Sequence, residues 1–310
     1  MQKMKAYVRT SAADMNVELA EVHVPEVDAG EVLVKVAAFG VGVHDRYFIP
    51  ANVDFPYVIG TEAAGVIERV GGDVKEFEAG ERVALTSVLR KKGGCWAEFA
   101  AVPEGDLMPV PDDLGLTEAS AVPIAGKTAL ESIRALGLPS GSTLFVAGAS
   151  GAIGTLVIQI AAQKGIRVIG SASEKNHDYM RSLGAEQAVD YSDPQRKEKI
   201  LEWFPGGVDA ALAIQRGTAD DCIAVVKDGG RVVTVSGNEG TAERGIELFQ
   251  FEHHEMKAEL AGLMRDIAAG RIKLVLEHVY PFDEAIEALT KTETRHARGK
   301  LAVEVIRQVR

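Results

Sequence analysis

Residues 142–173, STLFVAGASGAIGTLVIQIAAQKGIRVIGSAS, decide the fold expected for this chain. A short apolar run leads into a glycine-rich turn, apolar residues then recur at helical spacing, and residues 166–170 form a second apolar run. Gly148, Gly151 and Gly154 suit a tight turn, close approach of a phosphate to the backbone and close helix packing. The pattern predicts a strand, turn, helix and strand that bind a dinucleotide, with a purely structural turn as the alternative.

The end of the second strand indicates which nucleotide binds. An NAD site usually has an Asp or Glu there, which accepts a hydrogen bond from the ribose 2′-OH. This chain has Ser171 and Ser173, followed by Glu174 and Lys175. Hydroxyls and an ammonium group suit a 2′-phosphate, and no carboxylate is expected at the strand tip, so we predict NADP(H). The alternatives are that Glu174 binds a ribose, or that Lys175 is an ordinary exposed lysine.

Length and composition narrow the class of protein. A chain of 310 residues is typical of two domains, and 46% apolar with 25% charged residues is typical of a soluble globular protein. No apolar run approaches a membrane span and no signal peptide is evident, so we expect a cytoplasmic protein with no membrane partner. A net charge of −11 argues against a nucleic-acid partner. Cys95 and Cys222 are isolated, which predicts buried thiols rather than a disulfide or a cysteine zinc site.

Two patterns divide the chain. From Lys5 to about Val110, short strand patterns such as the alternating Val32, Val34 and Val36 are separated by glycine turns, which predicts a barrel-like β domain. After Pro111, helix and strand patterns alternate, which predicts a doubly wound parallel sheet. The expected helices cover residues 117–136 and 255–269, the latter ending at Gly270, and the expected strands cover residues 186–191, 208–214, 231–236, 274–280 and 300–306.

Several separate motifs, in order along nearly the whole chain, carry a family resemblance. They are residues 60–66 (GTEAAGV), 80–83 (GERV), 93–99 (GGCWAEF), 126–129 (GKTA), 148–154 (GASGAIG) and 297–300 (ARGK). The chain resembles the medium-chain dehydrogenase/reductases and, within them, the zinc-independent quinone oxidoreductase-like branch. The resemblance implies an α/β protein with a GroES-like β-barrel domain (1–122 and 271–310), interrupted by a Rossmann doubly wound parallel-sheet domain (123–270). It also implies an active site in the cleft between the two domains.

The resemblance also indicates that no zinc binds. Zinc-dependent relatives use a Cys and a His at positions that correspond here to Gly42 and Thr61, neither of which is a zinc ligand. Without a metal, a nicotinamide cofactor transfers hydride directly to an electron-poor acceptor such as a quinone or an α,β-unsaturated carbonyl. His44, His253 and His254 remain as alternative ligands, although such histidines are more often solvated.

Site residues carried over from the family fall into two groups. The resemblance places Thr128 near the nicotinamide, Tyr191 and Arg295 near the adenosine phosphate, and Phe249 and Phe251 along the nicotinamide pocket. The alternatives for these last four are an ordinary strand-end tyrosine, a solvated arginine and plain apolar packing. The predicted cofactor site also includes the glycine-rich turn and the nucleotide-selecting strand end, which are Gly148, Ser150, Gly151, Ala152, Ile153, Gly154, Ser171, Ser173 and Lys175.

The catalytic candidates lie in the first domain. Asp45 and Tyr47 match family positions, and a phenol such as Tyr47 can donate to a developing enolate or hydroquinone oxygen, unless it is simply a packed tyrosine. The family usually has an Asn at the position of Gly42. Any hydrogen bond that this Asn makes to the substrate in relatives cannot come from the side chain of residue 42 here.

Three functions are compatible with this pattern. The first is an NADPH-dependent reductase of quinones or activated alkenes, and the second is a reductase of one specific enone or alkenal without quinone activity. The third is an NADPH-binding sensor or crystallin-like protein with little turnover. Besides the small-molecule acceptor, we expect a homodimer formed through residues 231–236, taken as the apolar edge strand of the Rossmann sheet.

Overall fold

The computed structural model of the protein describes residues 2–237 and 240–305. The first strands and helices are β1 (Lys3–Arg9), β2 (Glu18–His23), β3 (Glu31–Val41), β4 (Tyr57–Val58), β5 (Glu62–Val70), β6 (Arg82–Thr86), β7 (Phe99–Pro103), β8 (Leu107–Pro109), α1 (Leu116–Ala119) and α2 (Pro123–Leu136). Next come β9 (Thr143–Ala147), α3 (Ala152–Gln163), β10 (Arg167–Ser171), α4 (His177–Ser182), β11 (Gln187–Val189), α5 (Arg196–Trp203), β12 (Val208–Ala213), α6 (Ala219–Val225) and β13 (Val226–Thr234). The last are β14 (Glu247–Gln250), α7 (Lys257–Ala268), β15 (Leu276–Pro281), α8 (Ala285–Glu293) and β16 (Lys300–Glu304).

The chain forms two compact units. The first is built from Met1–Ile124, Met256–Arg271 and Leu276–Arg310, and the second from Ala125–Glu255 and Ile272–Val275. Helix α7, which the sequence alone groups with the Rossmann part, therefore belongs to the first unit, where it contacts β8.

The first unit is built on two sheets. Strands β2, β1 and β4 form a small antiparallel sheet, and a larger sheet has the order β15-β16-β3-β5-β6-β8, with β7 also paired to β3. Its core holds stacked aromatic rings, with the Phe39 and Trp96 centroids 4.8 Å apart and both residues fully buried. Strand β3 is buried over most of its length, Leu33 included, and it lies inside the larger sheet, with β5 paired along one edge and β7 and β16 along the other. The predicted GroES-like β domain is confirmed.

The second unit is a parallel sheet with the strand order β11-β10-β9-β12-β13-β14. Counted within this sheet, the order is 3-2-1-4-5-6, that of a doubly wound dinucleotide-binding fold. The strand order reverses between β9 and β12, and ligands of such sheets bind beyond the carboxyl ends of the strands at that point. The predicted Rossmann domain is confirmed.

The sheet edge differs from the sequence-based expectation. Residues 231–236 were expected at the edge, but β13 is covered by β14, with Val232 opposite Leu248 and Val233 opposite Phe249. That prediction is wrong because β14 has only four residues, too few for a recognisable apolar run. The edge of the sheet is therefore β14, and Phe249 is a sheet residue.

Two other elements differ from the sequence. The helix expected over residues 117–136 is split into α1 and α2, and Pro123 begins α2, as proline suits the first position of a helix. Strand β16 ends at Glu304, and Ile306 lies outside the described residues. Helix α7 ends as expected, since Gly270 has a φ of +69°.

Cys95 and Cys222 are both free and buried, as predicted. Burial raises the pKa of each thiol above its ordinary value. Among the described helices, none is long and apolar enough to cross a membrane.

Tyr57 should make the folded protein sensitive to alkali. Its hydroxyl donates to the Arg90 carbonyl oxygen at 2.6 Å, and burial raises the Tyr57 pKa from 10.0 to about 12. In the unfolded chain this phenol loses its proton near its ordinary pKa, so its stabilising effect is complete below about pH 10. We expect the free energy of unfolding to fall between about pH 10 and 12, and to fall less in Tyr57→Phe, as measured by urea unfolding. If the unfolding free energy of both proteins fell equally with pH in this range, Tyr57 would not be the group responsible.

Candidate functional site

The glycine-rich turn joins the buried strand β9 to helix α3 in the second unit. Gly148 has a φ of +86°, and a Cβ there would lie 2.8 Å from Gln215 Cγ. At Gly154 a Cβ would lie 2.5 Å from the Ala149 Cα, so glycine lets the helix pack against the turn. At Gly151 the nearest atom to a Cβ would be the Gly148 carbonyl oxygen at 3.6 Å, which leaves space above the turn. The three glycines thus provide the turn, the open surface and the close helix packing of a pyrophosphate site.

The start of α3 can bind an anion. Gly151 is its N-cap and provides no side-chain cap, and the first turn of the helix holds no acidic residue. Within the described residues, the N–H groups of Ala152, Ile153 and Gly154 have no hydrogen-bond partner. Free N–H groups at a helix start attract phosphate through their partial positive charge. Ser150 lies beside them, and its hydroxyl accepts a hydrogen bond from Asn176 Nδ2 at 3.3 Å. This local geometry fits the pyrophosphate of a dinucleotide.

The nucleotide-selecting end of β10 lies next to the turn. The Ser171 carbonyl oxygen accepts hydrogen bonds from Gly148 N–H at 3.2 Å and Ala149 N–H at 3.1 Å. Ser171 is buried, Ser173 is half-buried, and Lys175 is exposed in a short 3₁₀ turn, Glu174–Asn176.

Asp190 adds a carboxylate that the sequence did not predict at this place. It follows Val189, which lies opposite Ser171 in the parallel pairing of β10 and β11. Its oxygens accept hydrogen bonds from Glu174 N–H at 2.9 Å and from the Ser192 N–H and hydroxyl at 2.7 and 2.6 Å. The Ser192 bonds hold the pKa of Asp190 below its ordinary value. The tip of β10 itself, residues 170–173, carries no carboxylate, and Asp190 comes from the end of the neighbouring strand.

Tyr191 follows directly and is 52% exposed. Its ring is therefore free to meet a ligand.

The other cofactor candidates of the second unit lie on α2 and around β14. Thr128 is on α2, Phe249 is half-buried in β14, and Phe251 is buried with its ring edge-to-face on His253, at 5.5 Å between centroids. Their surroundings contain a buried carboxylate that sequence reasoning missed. Glu131, only 2% exposed, accepts hydrogen bonds from His254 N–H at 2.9 Å and binds His253 Nδ1 at 3.0 Å. Glu131 thus fixes the segment that follows Phe251.

Arg295 lies in the first unit, exposed, just after α8. Its φ is +59° and its N–H donates to the Thr292 carbonyl oxygen at 2.9 Å.

Asp45 and Tyr47 have opposite environments although they are two residues apart. Asp45 is 1% exposed, and its carboxylate accepts hydrogen bonds from Gly42 N–H and from the Thr61 hydroxyl, both at 2.7 Å. Tyr47 is 58% exposed. The neighbouring Arg46 anchors this loop through two hydrogen bonds to the Glu293 carboxylate, at 2.7 and 3.1 Å. Asp45 therefore holds the loop to Thr61, whereas Tyr47 is available to a ligand.

His44, Asp45 and Thr61 form one hydrogen-bonded cluster. The Nε2 of His44 lies 2.9 Å from the Thr61 hydroxyl oxygen, and 21% of the His44 side chain is exposed. The contact could not be predicted from the sequence, because His44 and Thr61 are 17 residues apart and spacing along the chain does not show that they meet.

A buried ion pair lies beside the cluster. Lys300, 5% exposed, pairs with Glu62, which is fully buried and also accepts a hydrogen bond from Ile124 N–H at 2.8 Å. Both residues occur in the motifs that carry the family resemblance.

Comparison with known proteins identifies the family. A family model described as alcohol dehydrogenase GroES-like domain matches residues 28–112, and one described as zinc-binding dehydrogenase matches residues 183–303. The chain is 30% identical to a 2-methylene-furan-3-one reductase of Solanum lycopersicum, over 98% of this chain and 80% of that protein. It belongs to the medium-chain dehydrogenase/reductases.

Two further relatives of this medium-chain dehydrogenase/reductase carry similar names. A chloroplastic NADPH-dependent alkenal/one oxidoreductase of Arabidopsis thaliana is 31% identical over 97% of this chain and 80% of that protein. The solved quinone oxidoreductase of Coxiella burnetii is 25% identical, with a TM-score of 0.87 over 98% of this chain and all of that one. The predicted quinone oxidoreductase-like branch is confirmed, and its members are oxidoreductases.

The residues at the family's zinc positions do not fit a metal ion. Gly42 offers no side chain, and the Thr61 hydroxyl is bonded to Asp45 and His44. Throughout residues 2–237 and 240–305, no three His, Cys, Asp or Glu side chains are grouped so as to hold a metal.

Proposed function

We propose that this protein is an NADPH-dependent, zinc-independent oxidoreductase that transfers hydride to quinones or activated α,β-unsaturated carbonyls. The observation that carries the proposal is the glycine-rich turn, which leaves the N–H groups at the start of α3 open to a pyrophosphate. The names of the relatives, which refer to enone, alkenal and quinone substrates, support the acceptor class. The nicotinamide, when bound, supplies the hydride.

The chain's own groups bind and orient the two reactants. The Ala152, Ile153 and Gly154 N–H groups would hold the pyrophosphate, and we propose that Ser171, Ser173 and Lys175 hold the 2′-phosphate. Tyr191 and Arg295 remain proposed contacts of the adenosine phosphate, and Thr128, Phe249 and Phe251 of the nicotinamide. Gly42 and Thr61 offer no ligand for a metal that could polarise the acceptor, so we propose that conjugation within a quinone or enone spreads the charge that the hydride brings.

The test is NADPH oxidation after treatment with a chelator, with 1,4-naphthoquinone and 3-penten-2-one offered in parallel and NADH as the control donor. We expect turnover that survives chelation and prefers NADPH. Turnover with the enone alone would identify a specific enone reductase. Tight NADPH binding without turnover of either acceptor would contradict the proposal and favour a cofactor-binding sensor.

Lys175→Glu should weaken NADPH binding more than NADH binding. Loss of one charge-assisted hydrogen bond, with a repelling carboxylate in its place, should raise the Kd for NADPH by roughly 10- to 100-fold. Fluorescence titration with each nucleotide measures the change. Lys164→Glu is the matched control, because Lys164 is exposed at the opposite end of α3 from the turn. An equal change with both nucleotides would contradict recognition of the 2′-phosphate by Lys175.

We also propose a homodimer, now through the edge strand β14 rather than residues 231–236. Strand β14 pairs with β13 on one side, so its outer side is the edge of the sheet. The backbone N–H and C=O groups of such an edge strand can pair with a second chain. Sedimentation equilibrium should give twice the 33.1 kDa mass of one chain. A mass of a single chain at micromolar concentration would contradict the dimer.

A further inference from the structure

His44 is the accessible end of an otherwise buried chain of hydrogen bonds in the first unit. Its Nε2 lies 2.9 Å from the Thr61 hydroxyl oxygen, which lies 2.7 Å from Asp45 Oδ1. The other carboxylate oxygen of Asp45 accepts the Gly42 N–H at 2.7 Å. The side chain of His44 is 21% exposed and that of Asp45 is fully buried. A ligand can therefore reach this cluster only through the imidazole.

The hydrogen bonds determine which nitrogen of His44 carries a proton. The Thr61 hydroxyl has a single proton and donates it to Asp45 Oδ1, because a carboxylate can only accept. Thr61 must then accept from His44, so Nε2 carries the hydrogen and Nδ1 is left for another partner. The ring is thereby held in one orientation with one nitrogen unused inside the cluster.

Gly42 makes room for this ring. A Cβ on Gly42 would lie 2.5 Å from His44 Cε1 and 3.0 Å from each ring nitrogen, so any larger residue would displace the imidazole. The Nδ1–Cε1–Nε2 edge of His44 occupies the space that a side chain at position 42 would need. The hydrogen-bonding group of this loop therefore comes from position 44 rather than from position 42.

Two neighbouring side chains lie close to the ring. Asp45 Oδ1 is 3.9 Å from His44 Nε2. The Phe48 ring packs against the imidazole, with 5.0 Å between the two ring centroids. Nε2 is therefore held inside the cluster, and Nδ1 is the ring nitrogen through which His44 can exchange a proton with a ligand.

We propose that His44 donates the proton to the carbonyl oxygen of the acceptor. This rests on the proposed function, in which hydride reaches the acceptor carbon and its electron pair leaves negative charge on that oxygen. The Nδ1–H bond breaks, an O–H bond forms, and the imidazolium becomes a neutral imidazole that keeps Nε2–H on Thr61. Water at the exposed part of the ring returns the proton. Asp45 and Thr61 act as positioning residues, and His44 is the catalytic residue.

The test compares His44→Gln with the unaltered protein, using NADPH and both 1,4-naphthoquinone and 3-penten-2-one. Glutamine can still donate to Thr61 but cannot transfer a proton, so we expect kcat to fall by roughly 10²-fold while the NADPH Kd is unchanged. Added imidazole should restore part of the activity. His23→Gln is the matched control, because His23 is exposed at the end of β2.

A second readout does not depend on turnover. The ¹⁵N spectrum of the imidazoles should show Nε2 of His44 protonated in the free protein, and a shift of Nδ1 when the acceptor is added. The proposal would be overturned if the spectrum showed the opposite tautomer. It would also be overturned if the unaltered protein were active and His44→Gln had the same kcat. Either result would leave the proposed function standing. A large fall in Tyr47→Phe but none in His44→Gln would assign the proton to Tyr47 instead. If the unaltered protein oxidises no NADPH with either acceptor, the proposed function fails and this inference falls with it.

Discussion

Lys300→Met should lower the free energy of unfolding by about 3–5 kcal/mol, because it leaves the fully buried Glu62 carboxylate without its cation. The aliphatic part of methionine fills similar space, so a cavity contributes little to the loss. Urea unfolding followed by circular dichroism measures the change. The Ile124 N–H bond to Glu62 remains, but one hydrogen bond does not balance a buried charge.

Two variants separate the buried charge from other effects. The double variant Glu62→Gln/Lys300→Met removes both charges. Its loss of unfolding free energy should therefore be smaller than the sum of the losses in Glu62→Gln and in Lys300→Met. Lys3→Met is the exposed control, since both side chains of the Lys3–Glu21 pair are more than half exposed, and it should cost less than about 1 kcal/mol. Additive losses in the double variant would show that Lys300 and Glu62 do not act as a pair.

Gly154→Ala should destabilise the second unit by about 3 kcal/mol, because its Cβ would lie 2.5–2.6 Å from backbone atoms of Ala149. Backbone atoms cannot rotate away as a flexible side chain can. Alanine has a higher helix propensity than glycine, which offsets at most about 1 kcal/mol of this loss. The same displacement moves the start of α3, so we also expect a weaker affinity for NADPH, measured by fluorescence titration.

Gly151→Ala is the informative counterpart. Its backbone is extended, with a φ of −83°, and the nearest atom to its Cβ would be 3.6 Å away, so the fold should tolerate the methyl group. The methyl would instead occupy space above the turn, and we expect the Kd for NADPH to rise by about 10-fold or more, a loss of about 1.4 kcal/mol. Unchanged NADPH affinity in Gly151→Ala would contradict the assignment of the turn as the pyrophosphate site.

The elements that the sequence predicted well are those specified by neighbouring residues. The spacing of Gly148, Gly151 and Gly154 between two apolar runs identified the strand, turn and helix, because each glycine has a local backbone or packing requirement. The same holds for the end of α7, where Gly270 adopts the left-handed conformation. Strand β14 escaped notice because its four residues gain their structure from pairing with β13.

The polar contacts that the sequence missed join residues far apart in the chain. Asp190 meets Glu174 because β10 and β11 are parallel neighbours, and Glu131 meets His253 across 122 positions. His44 looked like an isolated loop histidine until Thr61 was placed beside it. Spacing along the chain does not encode such contacts, since they depend on the order in which strands pair.

Strand β16 lies far from β3 along the chain but belongs to the same sheet of the first unit. The two strands pair, with Leu301 opposite Val41, so β3 is translated well before its partner. Until β16 has emerged from the ribosome, that part of the β3 edge has no partner and must be kept from aggregating. The second unit draws almost all its residues from one continuous stretch, Ala125–Glu255, and can mature earlier. Nascent-chain proteolysis should therefore show protection of the later-synthesised Rossmann unit before that of the N-terminal barrel.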